Sequence, residues 1–167
     1  MMVANLVNAK KLYTVVIVDD APEFLEMASQ LVNDHPNLAV LGTATSGEQA
    51  IAELLTLSPD VLIIDVNMAG IDGFETARRA LAILPQVRVI IMSAYEEVPY
   101  ASLARQVGAS AFIAKRELSA ERIWGILGVA HGVNVHVIPQ GVTTSIPPWG
   151  ALCRVMLHRF HLPINKL

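Results

Sequence analysis

Between Tyr13 and about Ala130 the apolar residues alternate between two patterns, short continuous runs and sets spaced for one face of a helix. Val15 to Val18, Val61 to Ile64, Val87 to Met92 and Ala111 to Ala114 have little or no polar face, the form a strand takes when both sides of its sheet are covered. Leu38 to Ala44 reads as a further strand. Between these runs, Phe24, Leu25, Ala28, Leu31 and Val32 share one helical face over Pro22 to Asn33. Ser46-Gly47-Glu48-Gln49 offers a capping box for a helix carrying Ile51, Leu54 and Leu55. Asp72, with Glu75 three residues on, opens the next helix, and Leu84-Pro85 stops it. A helix from about Val98 to Val107 ends at Gly108, and the last opens at Ser119 with Ile123, Ile126, Leu127 and Ala130 on one face. Strict alternation with short connections predicts an α/β fold of five strands and five helices, the sheet parallel and the helices crossing over its faces.

Beyond His131 the pattern changes. Val133, Val135 and Val137 alternate with Asn134 and His136, residues 141–150 read as a proline-containing linker, and Leu152, Val155, Met156 and Phe160 share a face of a short amphipathic helix. The expected organisation is an N-terminal segment 1–12, one domain over 13–131 and a C-terminal tail over 132–167.

Composition narrows the class. Hydrophobic residues make up 53% of the chain and charged ones 16%, which fits strands covered on both faces and excludes a largely disordered chain. The net charge of −3 provides no basic excess, so direct DNA binding is not expected. Cys153 is the only cysteine, which rules out an intramolecular disulfide framework or a cysteine-rich zinc site. No stretch reads as a signal peptide or approaches the ~18 apolar residues of a membrane span, so a cytoplasmic protein without membrane association is expected.

The chemistry sits where the apolar runs stop. Asp19-Asp20 follow the first, Asp65 the third, Ser93 the fourth and Lys115 the fifth. The carboxyl ends of parallel strands line up along one edge, where ligands bind. Three carboxylates and an ammonium meeting there would be costly unless a divalent cation helped to compensate the repulsion. Taken singly these residues have plainer readings: Asp19-Asp20 as a helix cap, Ser93 as a turn residue, Phe112 as a core aromatic. His158 and His161, three apart, have no acidic or cysteine partner nearby and do not read as a metal site.

In this order, Asp19-Asp20, Asp65-Val66-Asn67-Met68-Ala69-Gly70-Ile71-Asp72-Gly73, Ser93-Ala94 and Lys115 resemble the receiver domain of two-component response regulators. The intervals of 45 residues from Asp20 to Asp65, 28 from Asp65 to Ser93 and 22 from Ser93 to Lys115 suit that family, over about Tyr13 to Ala130. The resemblance implies a flavodoxin-like (βα)5 doubly wound parallel sheet, order 2-1-3-4-5, here with a short C-terminal extension. It implies a phosphorylation-dependent switch in a phosphorelay, not an enzyme with turnover. Asp65 would accept a phosphoryl group from a histidine kinase or phosphotransfer protein. Mg²⁺ would be held by Asp20 directly, Asp19 through water, Asp65 and the carbonyl of Asn67, while Lys115 would meet the phosphoryl oxygens. Ser93 and Phe112 would be the switch residues, Asn67 and Tyr95 would tune the acyl phosphate lifetime, and output would leave by the fourth helix, fifth strand and fifth helix.

Two positions depart from the family pattern. Ala69 and Arg116 stand where many relatives have proline, and a trans bond is expected before Arg116. The surroundings of Lys115 are closest to the subfamily that usually carries a helix-turn-helix output domain, and the 37 residues after Ala130 are too few for one. The chain is therefore expected to be a stand-alone or truncated regulator, acting on an unknown downstream protein, with a homodimer possible through the tail or the output face. The alternative is a phosphorylation-independent pseudo-receiver acting as a protein interaction scaffold. A phosphatase with an aspartate nucleophile is disfavoured, because Asn67 stands where the acid/base carboxylate would be.

Overall fold

Five parallel strands and five α-helices, taken strictly in turn, make up this computed structural model, which describes residues 11–95 and 98–129. The order is β1 (Tyr13–Val18), α1 (Pro22–Asn33), β2 (Leu38–Ala44), α2 (Gly47–Leu57), β3 (Val61–Asp65), α3 (Gly73–Ile83), β4 (Arg88–Ser93), α4 (Val98–Gln106), β5 (Ala111–Ala114) and α5 (Ala120–Val129). A 3-10 turn over Lys115–Glu117 joins β5 to α5, an element the apolar pattern did not signal. The sheet runs β2-β1-β3-β4-β5 with every pair parallel, the flavodoxin-like order expected from the sequence. The segment Val133 to Val137 and the helix expected over 151–161 lie outside the described residues.

Period-two alternation divides each strand between two cores. Tyr13, Val15 and Ile17 of β1, Val61 and Ile63 of β3, Ile90 and Met92 of β4 and Ile113 of β5 pack with Leu25, Ala28 and Val32 of α1 and Ile123 and Leu127 of α5. Val16, Val18, Leu62, Ile64, Val89 and Ile91 face the opposite way, against α2, α3 and α4. That two-sided burial is why the runs carry no polar alternation.

Helix ends follow local chemistry, with two departures. Ser46 Oγ accepts from the Gln49 N–H and Asp72 Oδ1 from the Glu75 N–H, as the cap signals predict. The return halves of both capping boxes are diverted. Gln49 Oε1 accepts from the backbone and hydroxyl of Thr45, and Glu75 turns outward to Arg78 and Arg79, whose guanidinium groups pull its carboxyl down to about 2. Gly108 ends the fourth helical segment at φ +87°, where a residue with a Cβ is strained. The bond before Arg116 is trans, as expected.

At the amino end of the sheet Asp60 ties β1 to the start of β3. Its Oδ2 accepts from both the N–H and hydroxyl of Thr14, and Lys11 lies 3.0 Å from Oδ1. At the carboxyl end, Gly73 brings α3 hard against β3: its N–H donates to the Val66 carbonyl at 3.0 Å, and a Cβ there would collide with the Asp65 carbonyl. Among the described residues, no helix is long and apolar enough to cross a membrane.

Gly73→Ala tests this close approach. A glycine-to-alanine change in a helix ordinarily stabilises, but here the backbone has to shift, so a loss of about 2 kcal/mol is expected from urea unfolding. Unchanged or increased stability would show that the contact is slack.

Candidate functional site

The alternation that builds the two cores continues past the strand ends and sorts the polar residues. Asp19, Asp65 and Lys115 continue the odd-numbered positions of β1, β3 and β5, which face α1 and α5. Ser93 and Phe112 fall in step with the positions that face α2, α3 and α4. One sheet edge thus carries a charge cluster toward one layer of helices and a hydroxyl and a ring toward the other.

Lys115 Nζ lies 2.5 Å from Asp19 Oδ2 and 3.1 Å from Asp65 Oδ1. Each carboxylate gives its second oxygen to the loop that follows it. Asp19 Oδ1 accepts from the Ala21 N–H and Asp65 Oδ2 from the Asn67 N–H, both at 3.0 Å. Asp19 is therefore not the cap of α1: the cap position is Ala21, which makes no side-chain capping bond. Burial is deep, with Asp19 at 0% and Asp65 at 3% exposure, while the Lys115 side chain keeps 18%.

Desolvation pushes the Asp65 carboxyl above the ordinary carboxylate range, further raised by Asp19 and only partly offset by Lys115 and the Asn67 N–H. For Lys115 burial acts to lower the value, but Asp19 and Asp65 together outweigh it and hold the ammonium above its usual value. One ammonium shared between two buried carboxylates is doubly served. Each carboxylate is only half compensated.

Asp20 is exposed and supplies the third carboxylate. Oxygens of Asp19, Asp20 and Asp65 lie within 4.8 Å of one another. Beyond the Lys115 ammonium, Asp19 Oδ2 and Asp65 Oδ1 have no hydrogen-bond donor among the described residues although they are buried. Hard oxygen donors with unmet negative charge fit Mg²⁺.

Ser93 is fully buried, and its Oγ accepts from the Tyr95 N–H at 3.1 Å and from Asn67 Nδ2 at 3.4 Å. The hydroxyl thereby links the loop after β3 to the loop after β4. Tyr95 itself is 64% exposed. Phe112 is half-buried with its ring 6.1 Å from that of Tyr100 on α4, which in turn lies 5.8 Å from Phe74 of α3.

Three contributors were not singled out for this role by the sequence. Phe24 reads as one of five apolar residues on a helix face, yet its ring centroid lies 4.5 Å from Lys115 Nζ. Glu48 reads as part of a cap, yet its carboxylate accepts from the Ile71 N–H at 3.0 Å and anchors the loop after β3 to the start of α2. Tyr100 carries no sequence signal beyond helix membership. The one usable hint is position: Phe24 lies four residues after Asp20, in the first turn of the helix that leaves the acidic pair.

A family model described as "Response regulator receiver domain" matches residues 15–125. The chain is 32% identical over 126 residues to the response regulator GacA of Pseudomonas viridiflava, covering 75% of this chain and 58% of that protein. It is 37% identical over 108 residues to protein-glutamate methylesterase/protein-glutamine glutaminase 1 of Syntrophus aciditrophicus, covering 64% of this chain and 31% of the relative. The chain thus spans from about a third to rather more than half the length of these curated relatives. Among solved structures, the signal receiver domain of the putative response regulator NarL from Mycobacterium tuberculosis superposes with a TM-score of 0.65 at 30% identity, over 74% of this chain and 99% of that one.

The half-compensated Asp65 carboxylate has a pH signature. Its raised value means that the folded state holds the Asp65 proton more tightly than the unfolded chain does. Stability is therefore favoured in acid and declines as pH rises from the ordinary carboxylate range through the raised value. Asp65→Asn removes this titration. In metal-free protein the variant should be the more stable at neutral pH, with the difference fading toward mild acid in urea unfolding. A difference that grows in acid would reverse the assignment.

Proposed function

The chain belongs to the response regulator receiver domain family of two-component systems, and from that premise we propose that Asp65 is its phosphoacceptor. Receiver domains work with histidine kinases or phosphotransfer proteins. The observation that carries the assignment is the Asp65 carboxylate at the end of β3, buried, ionically tied to Lys115 and beside two further carboxylates.

In the transfer, an Asp65 carboxylate oxygen attacks phosphorus while the bond to the donor imidazole nitrogen breaks. The bonding pair stays on the imidazole, and an acyl phosphate forms on Asp65. Asp19, Asp20 and Asp65, with the carbonyl of Asn67, would hold Mg²⁺, which when bound screens the nucleophile from the phosphoryl oxygens. Lys115 sits against the Asp65 carboxylate, where its ammonium can meet an incoming phosphoryl oxygen.

The message leaves through Ser93. Its oxygen accepts both hydrogen bonds described above, which leaves its own proton for a phosphoryl oxygen. Making that bond draws in the loop after β4, and Phe112 moves away from Tyr100 into the space released. Phe112 has no hydroxyl, so its part of the change is steric. Asn67 and Tyr95 flank the acceptor and set how readily water reaches the acyl phosphate. Output then passes through the α4, β5 and α5 face to a downstream protein or a second copy of the chain, within the cytoplasm.

Incubation with acetyl phosphate and Mg²⁺ tests the reading. A single base-labile phosphoryl group is expected, absent from Asp65→Ala and slowed about 100-fold or more in Lys115→Ala, the scale seen when one charge-stabilising group is lost from a reacting centre. Ser93→Ala should still accept the group but fail to shift the amide signals of α4. Wild-type protein that stays unlabelled, or label that survives Asp65→Ala, would leave a scaffold without phosphorylation as the better account.

A further inference from the structure

The Lys115 ammonium has a third neighbour besides its two carboxylates. On α1, the Phe24 ring centroid stands 4.5 Å from Nζ, within the range of a cation–π contact. Phe24 is half-buried, packs against the core between the sheet and the α1/α5 layer, and sits in the first turn of α1. That turn is fixed at its start. The Asp19 carboxylate holds the Ala21 N–H, Pro22 sets the first helical residue, and the Phe24 N–H donates to the Ala21 carbonyl at 3.1 Å. The residue that supplies one of the ammonium's carboxylates therefore also anchors the turn that supplies the ring.

We propose that Phe24 is a positioning residue for phosphoryl acceptance, holding the Lys115 ammonium at the mouth of the site and keeping water from it through the face of its ring. The inference rests on Asp65 being the phosphoacceptor. A lysine ammonium is compact, strongly hydrated and carried on a flexible stem, so a further contact adds to the hold of the two carboxylates against its swinging toward solvent. Here an aromatic face occupies part of the space that water would take. The ring attracts the cation through its quadrupole yet offers no lone pair that would compete with a phosphoryl oxygen. An aliphatic side chain of similar volume can fill the space but cannot attract the charge.

The decisive comparison sets Phe24→Leu against Phe24→Trp. Loss of a partly desolvated cation–π contact should slow phosphorylation by acetyl phosphate about fivefold in Phe24→Leu, with Phe24→Trp staying within about twofold of wild type. A second readout needs neither phosphate nor Mg²⁺: proton exchange of the Lys115 ammonium with water, followed by ¹⁵N-resolved NMR in metal-free protein. It should quicken in Phe24→Leu and remain slow in Phe24→Trp. Unchanged exchange in a folded Phe24→Leu would overturn the proposal, as would equal slowing of phosphorylation by leucine and tryptophan. Should Phe24→Leu fail to unfold cooperatively, Phe24→Met fills the site without a ring and takes the same two measurements. Failure of wild type to label on Asp65 would instead overturn the function assigned above, while the exchange measurement still decides the role of the ring.

Discussion

A single ammonium shared between two carboxylates that water hardly reaches is the constraint on which the working edge of this protein depends. Lys115 is held by Asp19 and Asp65 together, and neither acid has another cation close by among the described residues. Taking such charges out of water costs several kcal/mol per ion, and a shared partner repays it only in part. The imbalance shows at Asp65, whose carboxyl is pushed up despite an ammonium 3.1 Å away. Residual negative charge of this kind at Asp65 is what a divalent cation would relieve.

The sheet makes this arrangement possible by giving every strand two covered faces. With α1 and α5 on one side and α2, α3 and α4 on the other, alternate residues at the strand ends enter different layers. The charge cluster therefore abuts α1, while Ser93 and Phe112 abut the layer containing α4. The proposed chemistry and the proposed readout would thus share one edge without sharing a packing environment. The Ser93 hydroxyl, linked to Asn67 and to the Tyr95 backbone, is the narrow bridge between them.

Loops at this edge are held by packing as much as by their own turn preferences. Gly73 admits the start of α3 against the Asp65 carbonyl, and Glu48 reaches from α2 to hold the Ile71 N–H. Both fix the segment that carries Asn67. The diverted capping boxes belong to the same economy. Gln49 secures Thr45 at the end of β2, and Glu75 is spent on two surface arginines, so each cap keeps only the half that the local backbone requires.

Strands, helices and their order were legible along the chain because short apolar runs bounded by turn residues, alternating with helical faces, read as strands covered on both sides and joined by crossover helices. The Asp, Asp, Ser and Lys stations were legible for the same reason, since each lies where a run stops. Which of these groups share an ammonium was not legible, because it depends on the side to which each strand end points and on the reach of a lysine across the sheet. Nor was the role of Phe24, Glu48 or Gly73: an apolar residue in a helix, an acid in a first turn and a glycine at a helix start have ordinary local meanings. Only the packing of α1, α2 and α3 onto the sheet edge brings them against the ammonium, the loop and the Asp65 carbonyl. Local pattern determined the elements and the chemistry they carry; long-range contact, absent from any window of the sequence, decided what each charged group touches.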